Sequence, residues 1–239
     1  MIDRSQRVAA RVFAVTYPLT FVIIFVAFYR FYAPFLVWAN GAETAGNLVQ
    51  NEHSLRVYLA LSFLYGVGGV VMLSALYVVL RPINRGLALF ATFCNLIYVS
   101  MWFVQLLEIF DALRIMSGGI YSLGLEPNRL QALASLQLAS GGDAYYIGLT
   151  FYSLGIVFFS VLFFQSRYVP RALAVFGILA SLFEGFCGFA YLIDRNFGAI
   201  VSPDFYELPV MLFQLTLSVW ILIRGLRPLE TAKAIAASS

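Results

Sequence analysis

Five polar side chains lie inside long apolar stretches of the sequence, where ionisable groups are energetically costly and usually serve a function. Glu184 is the most prominent, because it lies near the middle of such a stretch. Carboxylates and guanidinium groups in this setting can bind a proton, an ion or a polar ligand. The candidate pocket residues are Arg30, Gln105, Glu108, Glu184 and Gln214.

Six apolar segments must position these side chains. A helix needs about 20 apolar residues to cross a hydrocarbon core of roughly 30 Å, and the composition, 62% hydrophobic and 11% charged, leaves little sequence outside such segments. Their continuous hydrophobicity favours helices over alternating barrel strands. We predict an all-α polytopic membrane protein with six transmembrane helices, in a single domain over residues 1–226, and a cytoplasmic tail at 227–239. The predicted spans are approximately 12–38, 55–80, 86–109, 144–164, 172–193 and 205–223.

Basic residues are distributed unevenly among the segments that connect the spans. Ten of the 15 Lys and Arg residues lie before the first span, in the second and fourth loops, and after the sixth span. Short segments rich in Lys and Arg stay in the cytoplasm, so we expect both termini to be cytoplasmic. The residues that would anchor this topology are Arg7, Arg11, Arg81, Arg85, Arg167 and Arg171.

The pattern R-x-x-x-R-x-L-A-x-F occurs twice, at 81–90 and at 167–176. Each copy lies at the start of a span, at a predicted cytoplasmic turn. RVAARVFAV at 7–15 is a third, partial copy of the pattern. One explanation is duplication of a helical hairpin, which would make the fold a parallel repeat. The other is selection for positive charge, because Arg side chains four residues apart share a helix face and reach lipid phosphates.

Residues at and near the predicted cytoplasmic turns resemble those of a known family. LYVVLRPINRGLA at 76–88, GLTF at 148–151 and QSRYVPRAL at 165–173 resemble an uncharacterised family of six-helix bacterial membrane proteins, catalogued as domain of unknown function 4386. The resemblance covers roughly residues 8–226 and implies a protein of the bacterial inner membrane with no established activity. The family pattern has a polar or basic residue with an acidic one in the third helix and a His opening the fourth. This sequence has Asn95, Tyr98 and Asp143-Ala144-Tyr145 there, so a family site on those residues would be altered.

The depth of the candidates along their helices leaves two interpretations. At 1.5 Å per residue, Glu184 lies about 20 Å from the Arg-rich end of its span, while Gln105, Glu108 and Arg30 lie near the opposite boundary. They could line one outward-facing pocket, with Glu184 at its base and Arg30 and Glu108 at its rim. Alternatively, Arg30 pairs with Glu108 or reaches lipid headgroups, and Glu184 is neutral or hydrogen-bonded among the helices. Asn95 and Gln214, both near mid-depth, fit interhelical hydrogen bonding.

Metal and cofactor chemistry finds little support in the sequence. His53 is the only histidine, so sites that need two His ligands cannot be assembled within this chain. Cys94 and Cys187 lie inside predicted spans, where a packing role is the ordinary one. We predict no cofactor, no metal site and no nucleic-acid partner, because topology accounts for the basic residues.

Two loops are long enough to contain helices. The third, at 114–143, has Pro127 at a plausible first helical position, and we predict a short helix that acts as a lid or an interfacial anchor. We expect the glycine pairs at 118–119 and 141–142 to lie in loops, because glycine commonly marks turns. The first loop, at 41–54, is a weaker candidate for a helix of its own.

Three functions stay open. The favoured hypothesis is a non-catalytic protein that engages an apolar partner, as an accessory subunit of a membrane complex or as a binder of a lipid or quinone-like molecule. It rests on an aromatic content of 17% and on the absence of catalytic motifs. The second is a small ion- or proton-coupled transporter that uses Glu184, Glu108 and Arg30. The third, an intramembrane lipid-modifying enzyme, requires an acid beside a nucleophile. The pairs that offer this are Glu184 with Ser181 and Asp143 with Tyr145.

Overall fold

The computed structural model describes residues 2–37, 40–117, 124–194 and 196–227. Within these ranges the regular structure is entirely helical, with no strand. A short 3-10 helix at Ala33–Phe35 follows the first α-helix. The α-helices are α1 (Arg4–Phe31), α2 (Gly41–Gln50), α3 (Glu52–Leu80), α4 (Arg85–Met116), α5 (Pro127–Ser166), α6 (Arg171–Ile193), α7 (Phe197–Ile200) and α8 (Pro203–Arg224).

Six of the described helices are long and apolar enough to cross a membrane, namely α1, α3, α4, α5, α6 and α8. Each carries one of the six predicted spans, in the predicted order. The all-α, six-helix prediction is therefore confirmed, and the protein is a multi-pass membrane protein. The helix α2 occupies the first loop, where Asn40 caps it by accepting a hydrogen bond from the backbone N–H of Glu43.

The first span ends earlier than predicted. The helix α1 stops at Phe31, and the 3-10 helix carries the chain on to Phe35. Pro34 explains the change, because a proline has no N–H to donate and its ring clashes with the carbonyl group four residues earlier, here that of Arg30. The predicted end, Trp38, lies outside the described residues.

The prediction of a separate helix in the third loop is wrong in one respect. The segment that begins at Pro127 runs without interruption into the fourth span and forms a single helix of 40 residues. Gly141 and Gly142, which we expected in a loop, lie inside it. Gly141 has a packing role, because a Cβ there would lie 3.3 Å from the Cβ of Glu108 in α4. Gly118 and Gly119 lie outside the described residues.

The chain divides into two compact units, which are treated separately. The first contains the described parts of Met1–Leu19, Gly68–Val99 and Tyr146–Ser239, and the second contains those of Thr20–Val67 and Ser100–Tyr145. The single domain at 1–226 stays a prediction. Of the predicted tail, the structure describes only Arg227.

In the first unit, Gln6 ties together three segments at the Arg-rich end of the helices. Its side-chain oxygen accepts from the backbone N–H of Asp3, while the Asp3 carboxylate accepts from the N–H of Gln6, which forms a capping box at the start of α1. Its amide nitrogen donates to the carbonyl of Val79 at 3.0 Å and to the hydroxyl of Tyr168 at 3.1 Å. Buried hydrogen bonds of Gln6 thus join the start of α1 to the end of α3 and to the turn between α5 and α6.

Three of the predicted topology anchors, Arg7, Arg81 and Arg167, lie within two residues of this hydrogen-bonded group in the sequence. Five of them have exposed side chains, which suits contact with lipid headgroups or water: Arg7, Arg11, Arg81, Arg85 and Arg171. Arg167 is half-buried and has a φ of 56°, in the left-handed region that commonly terminates helices. The cytoplasmic orientation of this end stays a prediction.

Glycines allow close helix contacts in the first unit. A Cβ at Gly155 of α5 would collide with the side-chain amide of Asn95 in α4 and would lie 2.8 Å from the carbonyl of Ala91. A Cβ at Gly177 of α6 would collide with the ring of Phe213 in α8. Small residues at helix crossings are characteristic of membrane proteins, where van der Waals packing drives association.

The second unit has a core of alanine side chains and a hydrogen bond that joins two of its helices. Ala45 of α2, Ala112 of α4 and Ala134 of α5 are buried together. The indole N–H of Trp102 donates to the carbonyl of Ser62 at 3.0 Å, which joins α4 to α3. This unit contains three of the predicted pocket residues, Arg30, Gln105 and Glu108.

The glycine contacts yield a test of the packing. Gly155→Ala is expected to lower the free energy of unfolding by about 1 to 3 kcal/mol, because the new methyl group overpacks the contact with Asn95 and Ala91. Gly142→Ala, in the same helix, has open space around the new methyl group and should be neutral or stabilising by up to about 1 kcal/mol. Thermal unfolding of both variants in one detergent measures the difference, and equal midpoints would contradict the close contact between α4 and α5 at Gly155.

Candidate functional site

Glu184 forms a buried hydrogen bond between two helices of the first unit. Its side chain, in α6, is only 2% exposed, and that of Ser153, in α5, is 1% exposed. The Ser153 hydroxyl oxygen lies 2.8 Å from Oε2 of Glu184 and 2.9 Å from the carbonyl oxygen of Leu149. Gly185 permits this approach, because a Cβ there would lie 3.1 Å from the Cβ of Ser153.

The two contacts of Ser153 allow Glu184 to exist with or without a proton. A serine hydroxyl has one proton to donate and two lone pairs to accept with. When Ser153 donates to Leu149, a neutral Glu184 can donate its acid proton to the Ser153 oxygen. When Ser153 instead donates to Glu184, the carboxyl group can be ionised. The same positions of the heavy atoms therefore accommodate both protonation states.

A second acidic residue, Glu207 of α8, lies beside this pair. Helices α6 and α8 pack closely, with the rings of Phe183 and Phe205 at 6.0 Å between centroids. This register brings the half-buried Glu207 carboxyl group within electrostatic reach of Glu184. The site thus contains two carboxyl groups from different helices.

Tyrosine side chains line the same region. Tyr146 of α5 stacks on Tyr191 of α6, with ring centroids 3.4 Å apart and planes 16° apart. Tyr206 of α8 is 1% exposed and lies within electrostatic reach of Tyr146 and Glu207. The hydroxyl of the buried Tyr206 lies next to that of Tyr146, within reach of a hydrogen bond between the two. We call Glu184, Ser153, Glu207 and Tyr206 the carboxyl site.

The carboxyl site has no basic partner for Glu184. Ion pairs join Glu52 to Arg56 and Asp111 to Arg114 in the second unit, but no described basic side chain forms one with Glu184. A buried carboxylate without a counter-ion is unfavourable, and a neighbouring negative charge makes it more so. Ionisation of Glu184 therefore calls for a positive charge from outside the site.

Gln214 lies away from this site in the same unit. It is buried in α8 directly after Phe213, whose ring packs against Gly177. Since Gly177 precedes Glu184 by seven residues on α6, Gln214 lies about two turns away from it.

The remaining three candidates belong to the second unit. Gln105 and Glu108 lie one turn apart on α4, and each has a buried side-chain oxygen without a hydrogen-bond partner. Arg30 is exposed, with its guanidinium group 5.6 Å from the centroid of the Phe31 ring, and no ion pair joins it to Glu108. The convergence of Arg30, Glu108 and Glu184 on one pocket stays a prediction.

The pairing that an enzyme would need at Ser181 is not formed. Ser181 is fully buried, and its hydroxyl has no hydrogen-bond partner, whereas Glu184 bonds to Ser153. A nucleophile requires a hydrogen bond to its base. In the part of the chain that the structure describes, no group of three or more His, Cys, Asp or Glu side chains could hold a metal ion.

Comparison with known sequences places the chain in a family. The model of a domain of unknown function, DUF4386, matches residues 12–225. The chain belongs to this family. The match includes the whole carboxyl site and part or all of each membrane-crossing helix, and it confirms the resemblance found at the turns. Neither a curated protein nor a solved structure matches the sequence.

Asn95 and Tyr98, at which we expected this DUF4386 chain to depart from the family pattern, have packing contacts in the first unit. Asn95 donates to the carbonyl of Ala91 within α4 at 3.1 Å, and it faces Gly155. We expected such amides to bond between helices, but this one bonds within its own. The ring of Tyr98 lies 4.7 Å from that of Tyr152.

Sequence reasoning missed Ser153, Glu207 and Tyr206. Glu207 had a usable signal, because it is an acidic residue inside the predicted sixth span and ionisable residues in spans are default candidates. Ser153 and Tyr206 have none, since their importance depends on which helices face each other.

A double-mutant cycle tests the central hydrogen bond of the site. Ser153→Ala and Glu184→Ala, measured singly and together by unfolding in detergent, should show a coupling energy of about 0.5 to 1.5 kcal/mol. The control pairs Ser153→Ala with Gln214→Ala, which lie too far apart to contact each other and should be additive within about 0.5 kcal/mol. A coupling no larger than that of the control pair would show that Ser153 and Glu184 do not interact.

Proposed function

We propose that this membrane protein is a small proton-coupled transporter in which Glu184 takes up and releases the proton. The observation that carries the proposal is the burial of Glu184 between α5 and α6 with a serine partner, a second carboxyl group nearby and no basic residue paired with it. Ionisable residues buried inside membrane helices commonly mark proton and substrate pathways.

The geometry of the carboxyl site supports reversible protonation. Ser153 can either accept a hydrogen bond from Glu184 or donate one to it. When Glu184 loses its proton, both side chains therefore keep a hydrogen-bond partner. Loss of the proton does change the charge of a buried site, and such a change can drive a rearrangement of helices or the entry of a solute.

A second candidate function is engagement of an apolar partner, as an accessory subunit or as a binder of a lipid-like molecule. It is favoured by the outer face of α6, which we define as Leu179, Leu182, Phe186, Phe189 and Ile193. All five are exposed, Phe186 by 71% and Ile193 by 76%, and their spacing of three and four residues is that of a helix-packing seam. A partner helix or a flat apolar molecule would fit this face.

We infer a location in the bacterial inner membrane, with both termini in the cytoplasm. The six membrane-crossing helices and the excess of Arg at one end support this orientation. Green fluorescent protein fused to the C-terminus should fluoresce in cells, and alkaline phosphatase fused after Gly124 should be active, because that loop would be periplasmic. The opposite pattern of activities would overturn the orientation.

The proton-binding role of Glu184 is testable by infrared difference spectroscopy of the protein in lipid during a pH titration. A protonated carboxyl group has its own carbonyl stretch, and we expect such a band to appear and disappear reversibly as the pH is varied. The band should be absent in Glu184→Gln, which keeps the size of the side chain but cannot ionise. Glu108→Gln, a control in the second unit, should retain it. Identical titrations of the wild type and Glu184→Gln would overturn the proposal.

A further inference from the structure

Two serine hydroxyl groups of the first unit are buried without a hydrogen bond. Ser160 of α5 and Ser181 of α6 are both 0% exposed, and neither hydroxyl oxygen has a hydrogen-bond partner among the described residues. Native proteins give the large majority of buried polar side-chain atoms a partner. Two exceptions on facing helices therefore indicate a polar function rather than simple packing.

Other hydroxyl groups of the first unit bond to their own helix. Those of Thr150 and Ser153 in α5 lie 3.1 and 2.9 Å from the carbonyl oxygen four residues earlier. The hydroxyl of Ser218 in α8, a residue that is also 0% exposed, makes the same bond at 2.8 Å. This local bond is a common way for Ser and Thr to be satisfied inside a membrane helix. Its absence at Ser160 and Ser181 leaves both hydroxyl groups to the space between the helices.

The contact between α5 and α6 aligns these hydroxyl groups. A Cβ at Gly177 of α6 would lie 2.6 Å from the Oγ of Ser160, so this hydroxyl points at α6. A Cβ at Gly185 would lie 3.1 Å from the Cβ of Ser153. Ser181 is four residues from both Gly177 and Gly185, and residues four apart share a helix face. Ser181 therefore faces α5 between Ser153 and Ser160.

Glu184 stands at one end of this row of side chains. Its carboxyl group bonds to Ser153, and Ser181 lies three residues closer to the Arg-rich end of α6. Ser160 lies opposite Gly177, a further turn in the same direction. Side chains one turn apart have Cβ atoms about 5 to 6 Å apart. One water molecule with two hydrogen bonds of about 2.8 Å spans such a gap.

The row can also satisfy water. A buried water molecule needs two to four polar partners. The two hydroxyl groups supply some of them, and helix carbonyl oxygens, which have a second lone pair, supply others. Gly177 leaves the Ser160 hydroxyl uncovered on the α6 side, because a methyl group there would collide with it.

We propose that Ser181 and Ser160 bind water and, with it, carry the proton between Glu184 and the Arg-rich end of the helices. This inference rests on the proposed function. The acid proton of Glu184 passes to the adjacent water, which gives a proton to the Ser181 oxygen as that hydroxyl gives its own proton onward. The same exchange follows at Ser160. One proton enters the row for each that leaves, and a hydroxyl group suits this role because it both donates and accepts.

The experiment uses the full-length protein in lipid and follows the infrared band of protonated Glu184 after light releases protons from a photolabile donor. Ser160→Ala and Ser181→Ala are compared with the wild type. Each should slow the response of the band by at least about tenfold, because a positioned group commonly accelerates proton transfer by about 10²- to 10⁴-fold. The band should still titrate at equilibrium, since Glu184 and Ser153 are unchanged.

Ser218→Ala is the matched control. It removes a hydroxyl group that is equally buried but already bonded to its own helix, so it should respond at the rate of the wild type. The same spectra report on water, because heavy-oxygen water shifts the O–H stretch of a bound water but not that of a serine. We expect such a water band to change with protonation of Glu184 and to be lost in Ser181→Ala.

The outcomes separate this route from the function on which it rests. Wild-type rates in Ser160→Ala and Ser181→Ala would overturn the route, and so would equal slowing in Ser218→Ala, which would attribute the effect to packing. In both cases a band of Glu184 that still titrates leaves the proposed function standing. If Glu184 shows no titrating band, the proposed function fails and the route fails with it. Either serine variant tests the route alone, so one that does not fold leaves the other decisive.

Discussion

The hydrogen bond between Ser153 and Glu184 depends on how closely α5 and α6 approach each other. That approach is possible because Gly185 has no side chain to meet the Cβ of Ser153. Gly177 does the same for the contact between α6 and α8, and that contact sets the register that brings Glu207 to Glu184. In an apolar solvent there is little hydrophobic force between helices, so such packing and the buried hydrogen bonds must hold them together. The polar site is thus a consequence of where glycines occur.

Close packing also explains why the site is sensitive to charge. Water cannot easily screen Glu184, which is 2% exposed, and Glu207 on the facing helix is another acid. A neutral Glu184 is compatible with this setting, because Ser153 can accept its proton. A charged Glu184 is compatible only when something positive accompanies it. The chemistry of the site therefore follows from the lack of a described basic partner for Glu184 as much as from the presence of the acid.

Helix number and type could be predicted from sequence because each depends on local properties. Twenty apolar residues must span the membrane as a helix, and hydropathy reports this without knowledge of any neighbour. The positions of helix ends were harder to predict from the sequence. Hydropathy stops where charges begin, yet α4 continues past Ile109 to Met116 with an ion pair between Asp111 and Arg114. Likewise, Gly141 looked like a helix breaker until its contact with Glu108 was known.

Only part of the carboxyl site could be predicted from the sequence. Which residues lie beside Glu184 depends on the register between the helices. Glu184 could be singled out because an acid at mid-span is costly wherever the other helices lie. Glu207 became significant only when the contact of Phe205 with Phe183 placed it beside Glu184. Gln214 looked equivalent in sequence, yet the same register moves it about two turns away. A single sequence contains no information about such a register, because the packing of side chains on two helices decides it.

The two candidate functions meet on one helix. The inward side of α6 carries Glu184, and its outer face carries the exposed seam from Leu179 to Ile193. A helix of 23 residues held at its inner side by glycine contacts responds as a rigid element, so a shift that accompanies protonation would also move the exposed seam. A partner bound there would sense the protonation state of Glu184 through packing alone. Proton binding and partner engagement are therefore compatible, and the outer face of α6 is the surface through which a change of charge at the carboxyl site would be transmitted.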